Sequence, residues 1–183
     1  MNNMKRNIVV SLAAVLALAA FAQAPAQAQT STALGGTRQI PPIVQAWADA
    51  WNSGDAEGMA TLFTEDGVYE DYAFQASWDG HEAIAQWVEI TVANIPDARA
   101  ELLDAYMTDD RATLRWVFHG TPERMGPIGG TGKTFSVSAV SIFELESGKI
   151  SRVSDFYNLA NLFRQLELEN QVWTPPFGPD VLN

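Results

Sequence analysis

The spacing of apolar residues changes character three times along the chain. Ile8–Ala22 is an apolar run rich in Ala, Leu and Val, preceded by Lys5 and Arg6 and followed by the small residues of Ala26-Gln27-Ala28. A basic start, a short apolar stretch and a small-x-small site make a secretory signal peptide, so residues 1–28 are expected to be removed after Ala28. Residues 29–40 are Ser/Thr/Gly-rich and read as a flexible lead-in. Pro41-Pro42 then suits the first turn of a helix. Ile43, Val44, Trp47, Ala50 and Trp51 recur at helical spacing behind it. Asn52-Ser53-Gly54-Asp55 ends that helix and caps a second over Ala56–Phe63. Thr64–Gly67 reads as a turn, Val68–Tyr72 as a short strand, and the stretch up to Gly80 as a loop. A third helix is expected over Glu82–Asn94, stopped by Pro96 and Asp97.

From there the period is two. Arg99–Thr108 and Ala112–His119 form a hairpin turned at Asp109-Asp110. Gly120–Lys133, rich in glycine, is a long loop. Thr134–Leu145 and Lys149–Tyr157 form a second hairpin turned at Ser147-Gly148. Asn158–Leu168 reads as helical, and residues 169–183 as a tail with an aromatic, Pro-rich stretch at Trp173–Pro179. Helices first and a sheet afterwards predict an α+β domain over residues 41–168. Helices laid over one face of long strands leave a hollow, a common place for a small-molecule site.

Composition narrows the partners. The chain has 183 residues, 47% hydrophobic and 18% charged, which is globular rather than disordered. Eleven basic against 22 acidic side chains give a formal charge of −11, which opposes nucleic acid and anionic membranes. The absence of cysteine excludes disulfides, thiolate metal sites and a Cys nucleophile. His81 and His119 stand apart without ligand spacing, so no metal site is expected. Export is expected to lead to the periplasm or the medium, with no membrane span left after signal removal.

Three stretches resemble the nuclear transport factor 2-like superfamily, whose fold is a cone: Ala50-Trp51-Asn52-Ser53-Gly54-Asp55, Val68-Tyr69-Glu70-Asp71 with Gly80-His81-Glu82-Ala83-Ile84, and Gly148-Lys149-Ile150. Within it the chain is similar to the SnoaL-like polyketide cyclases, or ester cyclases, through Arg115-Trp116 with Gly120-Thr121, Thr131-Gly132-Lys133 and Gln165-Leu166. The resemblance runs from about Ile43 to Leu168. It implies a curved antiparallel sheet wrapped around three N-terminal helices, a cystatin-like arrangement, and a cofactor-free activity.

Strand alternation puts Arg115, Val117 and His119 on one face of their strand and Leu114, Trp116 and Phe118 on the other. The resemblance implies that Tyr69, Asp71, Arg115 and Asp155 face the pocket. It places the acid/base of an intramolecular aldol closure at Asp155, with Asp71, Arg115 and His119 in support. Desolvation among aromatic rings would raise the pKa of Asp155 and suit it to take and return a proton. A structural Asp155 paired with Arg115 is the competing reading. Trp47, Trp51, Tyr69, Ser141 and Tyr157 are the expected substrate contacts. Against ketosteroid isomerases, Asp71 matches the general base, while Trp47 and Ser141 stand where the oxyanion donors belong. Against limonene-epoxide hydrolases, Arg115 and Asp155 match two of three members, and Val117 replaces the third. The expectation is a cyclase, isomerase or lyase acting on an apolar, oxygenated small molecule; the alternative is a non-catalytic binder of a hydrophobic ligand. Leu114, Trp116 and Phe118 are expected to form an outward apolar patch that pairs two copies in a homodimer.

Overall fold

The structure, a computed structural model, describes residues 40–125 and 128–168. The expected signal peptide, most of the lead-in and the aromatic tail lie outside the described residues. Helix α1 (Pro42–Ser53) starts with proline in its first turn and ends at Gly54, whose φ of 67° closes the C-terminus in the left-handed region. Asp55 caps α2 (Ala56–Thr61), its side chain accepting from the Gly58 N–H at 2.8 Å. In the last turn of α1 Asn52 clamps the backbone of Ala100, donating to its carbonyl and accepting from its N–H.

Strand β1 (Phe63–Asp71) begins earlier than expected. The segment read as a turn is an irregularity inside the strand: the pairing steps from Phe63 opposite Ile150 to Val68 opposite Arg152. Gly67 makes it possible, since a Cβ there would lie 2.9 Å from the Cβ of Phe63. The next stretch, expected to be loop, contains β2 (Ala76–Asp79), which folds back antiparallel on β1. Helix α3 (Gly80–Asn94) follows, with Ile84, Val88 and Thr91 on its buried stripe. Strands β3 (Arg99–Met107) and β4 (Arg111–Gly120) form the first long hairpin. The long loop carries a two-residue ladder, β5 (Arg124–Met125) against β6 (Ile128–Gly129). Strands β7 (Phe135–Glu146) and β8 (Lys149–Tyr157) form the second, and α4 (Leu159–Gln165) is capped by Asn158.

Six strands join in the order β2-β1-β8-β7-β4-β3, a curved sheet in an α+β fold. All neighbours are antiparallel except β1 and β8, which run parallel. The inner face is covered by helices over a core that includes Val44, Trp47, Met59, Phe63, Ile84 and Leu114. A smaller cluster, with Phe135, Leu162, Phe163 and Leu166, joins α4 to the far end of the sheet.

The register corrects one expectation. Leu114 and Trp116 are buried, and Phe118 is half-buried against both clusters. These three residues face inward, not outward, so they form no patch for a second copy. Burying three large apolar side chains outweighs burying Arg115 and His119, and a one-residue shift of register would reverse the whole strand.

Candidate functional site

One register row crosses the middle of the sheet on its inner face. Leu114 of β4 lies opposite Ser141 of β7, Ser141 opposite Asp155 of β8, and Asp155 opposite Asp71 of β1. Two carboxyls therefore sit on adjacent strands, which lie about 5 Å apart. Both are buried, Asp71 3% and Asp155 4% exposed.

Neutral donors hold each carboxylate. Asp155 accepts from the Tyr69 hydroxyl at 2.6 Å and from Ser141 Oγ at 2.5 Å. Behind them, the Trp51 indole N–H donates to Tyr69 and that of Trp116 donates to Ser141. Asp71 accepts from the Phe74 backbone N–H at 2.8 Å and from the Tyr157 hydroxyl at 2.7 Å. Burial is the largest influence on both acids. It pushes Asp155 up to about 7, helped by the charge of Asp71 and opposed by Ser141 and Tyr69. It raises Asp71 to about 6 against the pull of its hydrogen-bond donors. Tyr69 and Tyr157 are pushed well above the usual phenol value, first by burial and then by the neighbouring acids.

The row opens on a cavity of about 300 Å³. Asp71, Asp155, Tyr69 and Tyr157 line its sheet side. Trp116 and Phe118 extend that wall along β4. Trp51 of α1 and Trp87 of α3 close the helical side, Trp87 stacked on Trp78 of β2 at 3.9 Å. Thr91 adds a buried hydroxyl to the α3 wall; neither its Oγ1 nor the Trp87 Nε1 has a hydrogen-bond partner. Arg124 lines the cavity but is exposed.

The expected residues divide. Asp71, Asp155, Tyr69, Trp51 and Tyr157 line one cavity, and Ser141 reaches it through Asp155. Trp47 does not line it: it is fully buried, edge-on to Trp116 and Phe143. Arg115 is on the opposite face of the sheet, where its guanidinium grips Asp104 through two 2.9 Å bonds. The competing reading, Asp155 paired with Arg115, is thereby removed. His119 is also on the outer face, 3.0 Å from Glu101. His81 lies against the Phe63 carbonyl at 3.1 Å. Trp78, Trp87, Trp116 and Phe118 were not expected in the cavity wall; for the last two, the apolar alternation along β4 was the available signal.

A curved sheet closed by helices over a buried pair of acids defines a nuclear transport factor 2-like protein of the small-molecule-pocket kind. The chain belongs to the SnoaL-like domain family, whose model matches residues 44–153. Among solved structures it is similar to a ketosteroid isomerase-like protein from Catenulispora acidiphila, solved in complex with trimethylamine. That match has 28% identity and a TM-score of 0.66 over 73% of this chain and 99% of that one. It is also similar to proteins assigned as polyketide cyclases. One from Pseudomonas putida has 25% identity and a TM-score of 0.59 over 68% of this chain and 95% of that one. One from Xanthomonas campestris has 23% identity and a TM-score of 0.61 over 68% and 93%. Comparison with curated proteins gives no match.

Proposed function

We propose that this protein is a cofactor-free acid–base enzyme, a cyclase, isomerase or lyase acting on an apolar, oxygenated small molecule. The observation that carries the reading is Asp155: a buried carboxyl at the wall of an aromatic cavity, with a pKa of about 7. Such a group is divided between acid and base near neutral pH and can both take and return a proton. In the proposed step the Asp155 carboxylate takes a proton from carbon next to a carbonyl. The C–H electron pair moves to make an enolate. The enolate carbon then either attacks a second carbonyl in the same molecule, forming a C–C bond, or is reprotonated at another position. The proton held by Asp155 returns to the new alkoxide or to that carbon, so no oxidant or metal is consumed.

Deuterium exchange tests the reading. Wild-type protein should label the carbon next to the carbonyl in a panel of aromatic and cyclic ketones in heavy water, and Asp155→Asn should not. A panel left unlabelled by wild type, with a ligand recovered intact from the purified protein, would establish the alternative, a non-catalytic binder. The leader sequence favours that alternative, since polyketide-type synthesis is ordinarily an internal process. Export with cleavage after Ala28 is part of the proposal; the intact mass of the secreted protein checks it. So is a homodimer; the exposure of Tyr72, Ile142 and Phe156 on the outer sheet face supports pairing through that face.

A further inference from the structure

Among the described residues the sheet buries four acids, two on the outer face that are matched to cations and two in the cavity that are not. On the outer face Asp104 pairs with Arg115, Glu70 with Arg152, Glu101 with Arg99, and Glu144 with Arg111. Among the described residues no ion pair reaches Asp71 or Asp155. Their donors are phenols, a serine hydroxyl and backbone N–H groups. These donors favour the ionised form but bring no positive charge. Arg124, the cavity's cationic side chain, is exposed and screened by water.

The surroundings specify what could supply that charge. Trp51, Trp78, Trp87, Trp116 and Phe118 surround the acids with indole and phenyl rings. Ring faces attract organic cations, and do so more strongly when water is excluded. A primary ammonium needs several hydrogen-bond acceptors, yet each carboxylate oxygen here already accepts one bond. An alkylated amine needs few acceptors or none and presents methyl groups to the rings.

We propose that Asp71 anchors an organic cation, so that the cavity takes an apolar small molecule bearing a protonated tertiary amine or a quaternary ammonium group. The proposal rests on the reading of the cavity as a small-molecule site and gives its two acids different work. Asp71 compensates the ligand's charge, and Asp155 exchanges the proton. The titratable and charged groups facing Asp71 are Tyr69 from β1, Asp155 and Tyr157 from β8, and Arg124 from β5. The walls from α1, β2, α3 and β4 contribute none.

Choline and its neutral carbon isostere, neohexyl alcohol, make the test, read by quenching of the cavity tryptophans at constant ionic strength. At about pH 8 choline should bind at least about tenfold more tightly than the alcohol. That advantage should shrink by about pH 5, as the acids take up protons. Asp71→Asn should abolish it and leave the alcohol's affinity in place. If the variant fails to fold, the two ligands on wild type at the two pH values decide the matter alone. Saturable binding of the alcohol as tight as choline's, or tighter, would overturn the cation assignment and keep the small-molecule site. If neither ligand saturates, both readings fall.

Discussion

The two faces of one sheet treat buried acids in opposite ways. Asp155 is 4% exposed and Asp104 6%, so burial does not separate them. Partners do. On the outer face Asp104 is held by the Nε and Nη2 of a guanidinium whose far side is in water. On the inner face Asp155 is held by two hydroxyls under a ceiling of indoles, with a second carboxyl beside it. A cation cancels the charge of an acid and fixes it as a structural anion. Neutral donors leave the charge in place, and desolvation then keeps the proton within reach of neutral pH. The outer face thus spends its acids on rigidity, and the inner face keeps two available for chemistry.

The largest expected effect comes from one substitution made on each face. Asp155→Asn keeps the volume and lets Ser141 and Tyr69 reorient their hydroxyls, but it removes the proton acceptor. Turnover should fall by about 10²–10⁴ while the melting temperature at neutral pH holds or rises. Asp104→Asn should do the reverse, lowering the melting temperature by several degrees and leaving turnover intact, because it breaks the fork on Arg115 far from the cavity. Kinetics and thermal melts on the two variants settle this. A sharp loss of stability in Asp155→Asn at neutral pH would make the inner acid structural as well.

The pH dependence of stability separates the faces next. Asp155 has a pKa of about 7 when folded, against an ordinary 3.8. Between those values the folded chain binds more protons than the unfolded chain. Stability from the neutral acid is therefore complete below the lower value and is lost as pH rises through the upper one. Asp71 adds the same sign of effect over a window ending at about 6. Melting temperature should fall as pH rises from about 4 to about 7, and Asp155→Asn should flatten most of that fall. A profile that instead rises with pH across this window would mean that the inner acids are paired with a cation after all.

The faces were unequally legible in the sequence. Helical spacing from Ile43 to Trp51, the Gly54-Asp55 junction and the four long alternating strands were readable because local periodicity and capping determine them. The Thr64–Gly67 irregularity was not, since four polar or small residues look like a turn until the pairing of β1 with β8 is known. Asp71 and Asp155 came from the resemblance; their adjacency depends on a parallel pairing between segments 84 residues apart. Arg115 and His119 came from the same source and landed outside. Alternation alone would have corrected them: Leu114, Trp116 and Phe118 form the more apolar set, and the more apolar face of a half-covered strand goes to the core. Trp47 failed differently, because helical spacing finds a buried face and cannot tell its deep core from a cavity wall.

A smaller effect is expected one bond away from the acid. Ser141→Ala removes a donor to Asp155 and strands the Trp116 indole N–H. Two effects should follow together: a loss of about 1–2 kcal/mol in stability, and an upward shift of the Asp155 titration, seen as a shift in the pH–rate profile or in the carboxyl carbon resonance. Loss of stability without movement of the titration would mean that Ser141 supports the fold and does not tune the acid.

The smallest expected effect on the chain itself, and the one that probes the outer face as a surface, is Phe156→Ser. Phe156 stacks on Tyr72 at 4.5 Å, and each is more than a third exposed. Around them, Glu70 is held by Arg152 and by Ser154 at 2.7 Å, so the strands there do not depend on the stack for their pairing. Cutting it should cost the folded chain about 0.5–1.5 kcal/mol. Exposed rings on a sheet face are worth more when a second copy covers them, because burial then removes the whole pair from water. If two copies pair there, Phe156→Ser should turn a dimer into a monomer in sedimentation while the cavity and its acids are untouched. The same variant remaining dimeric would move the interface elsewhere, and a wild-type chain that sediments as a monomer would leave Tyr72 and Phe156 as a stack that stabilises β1 against β8 and nothing more.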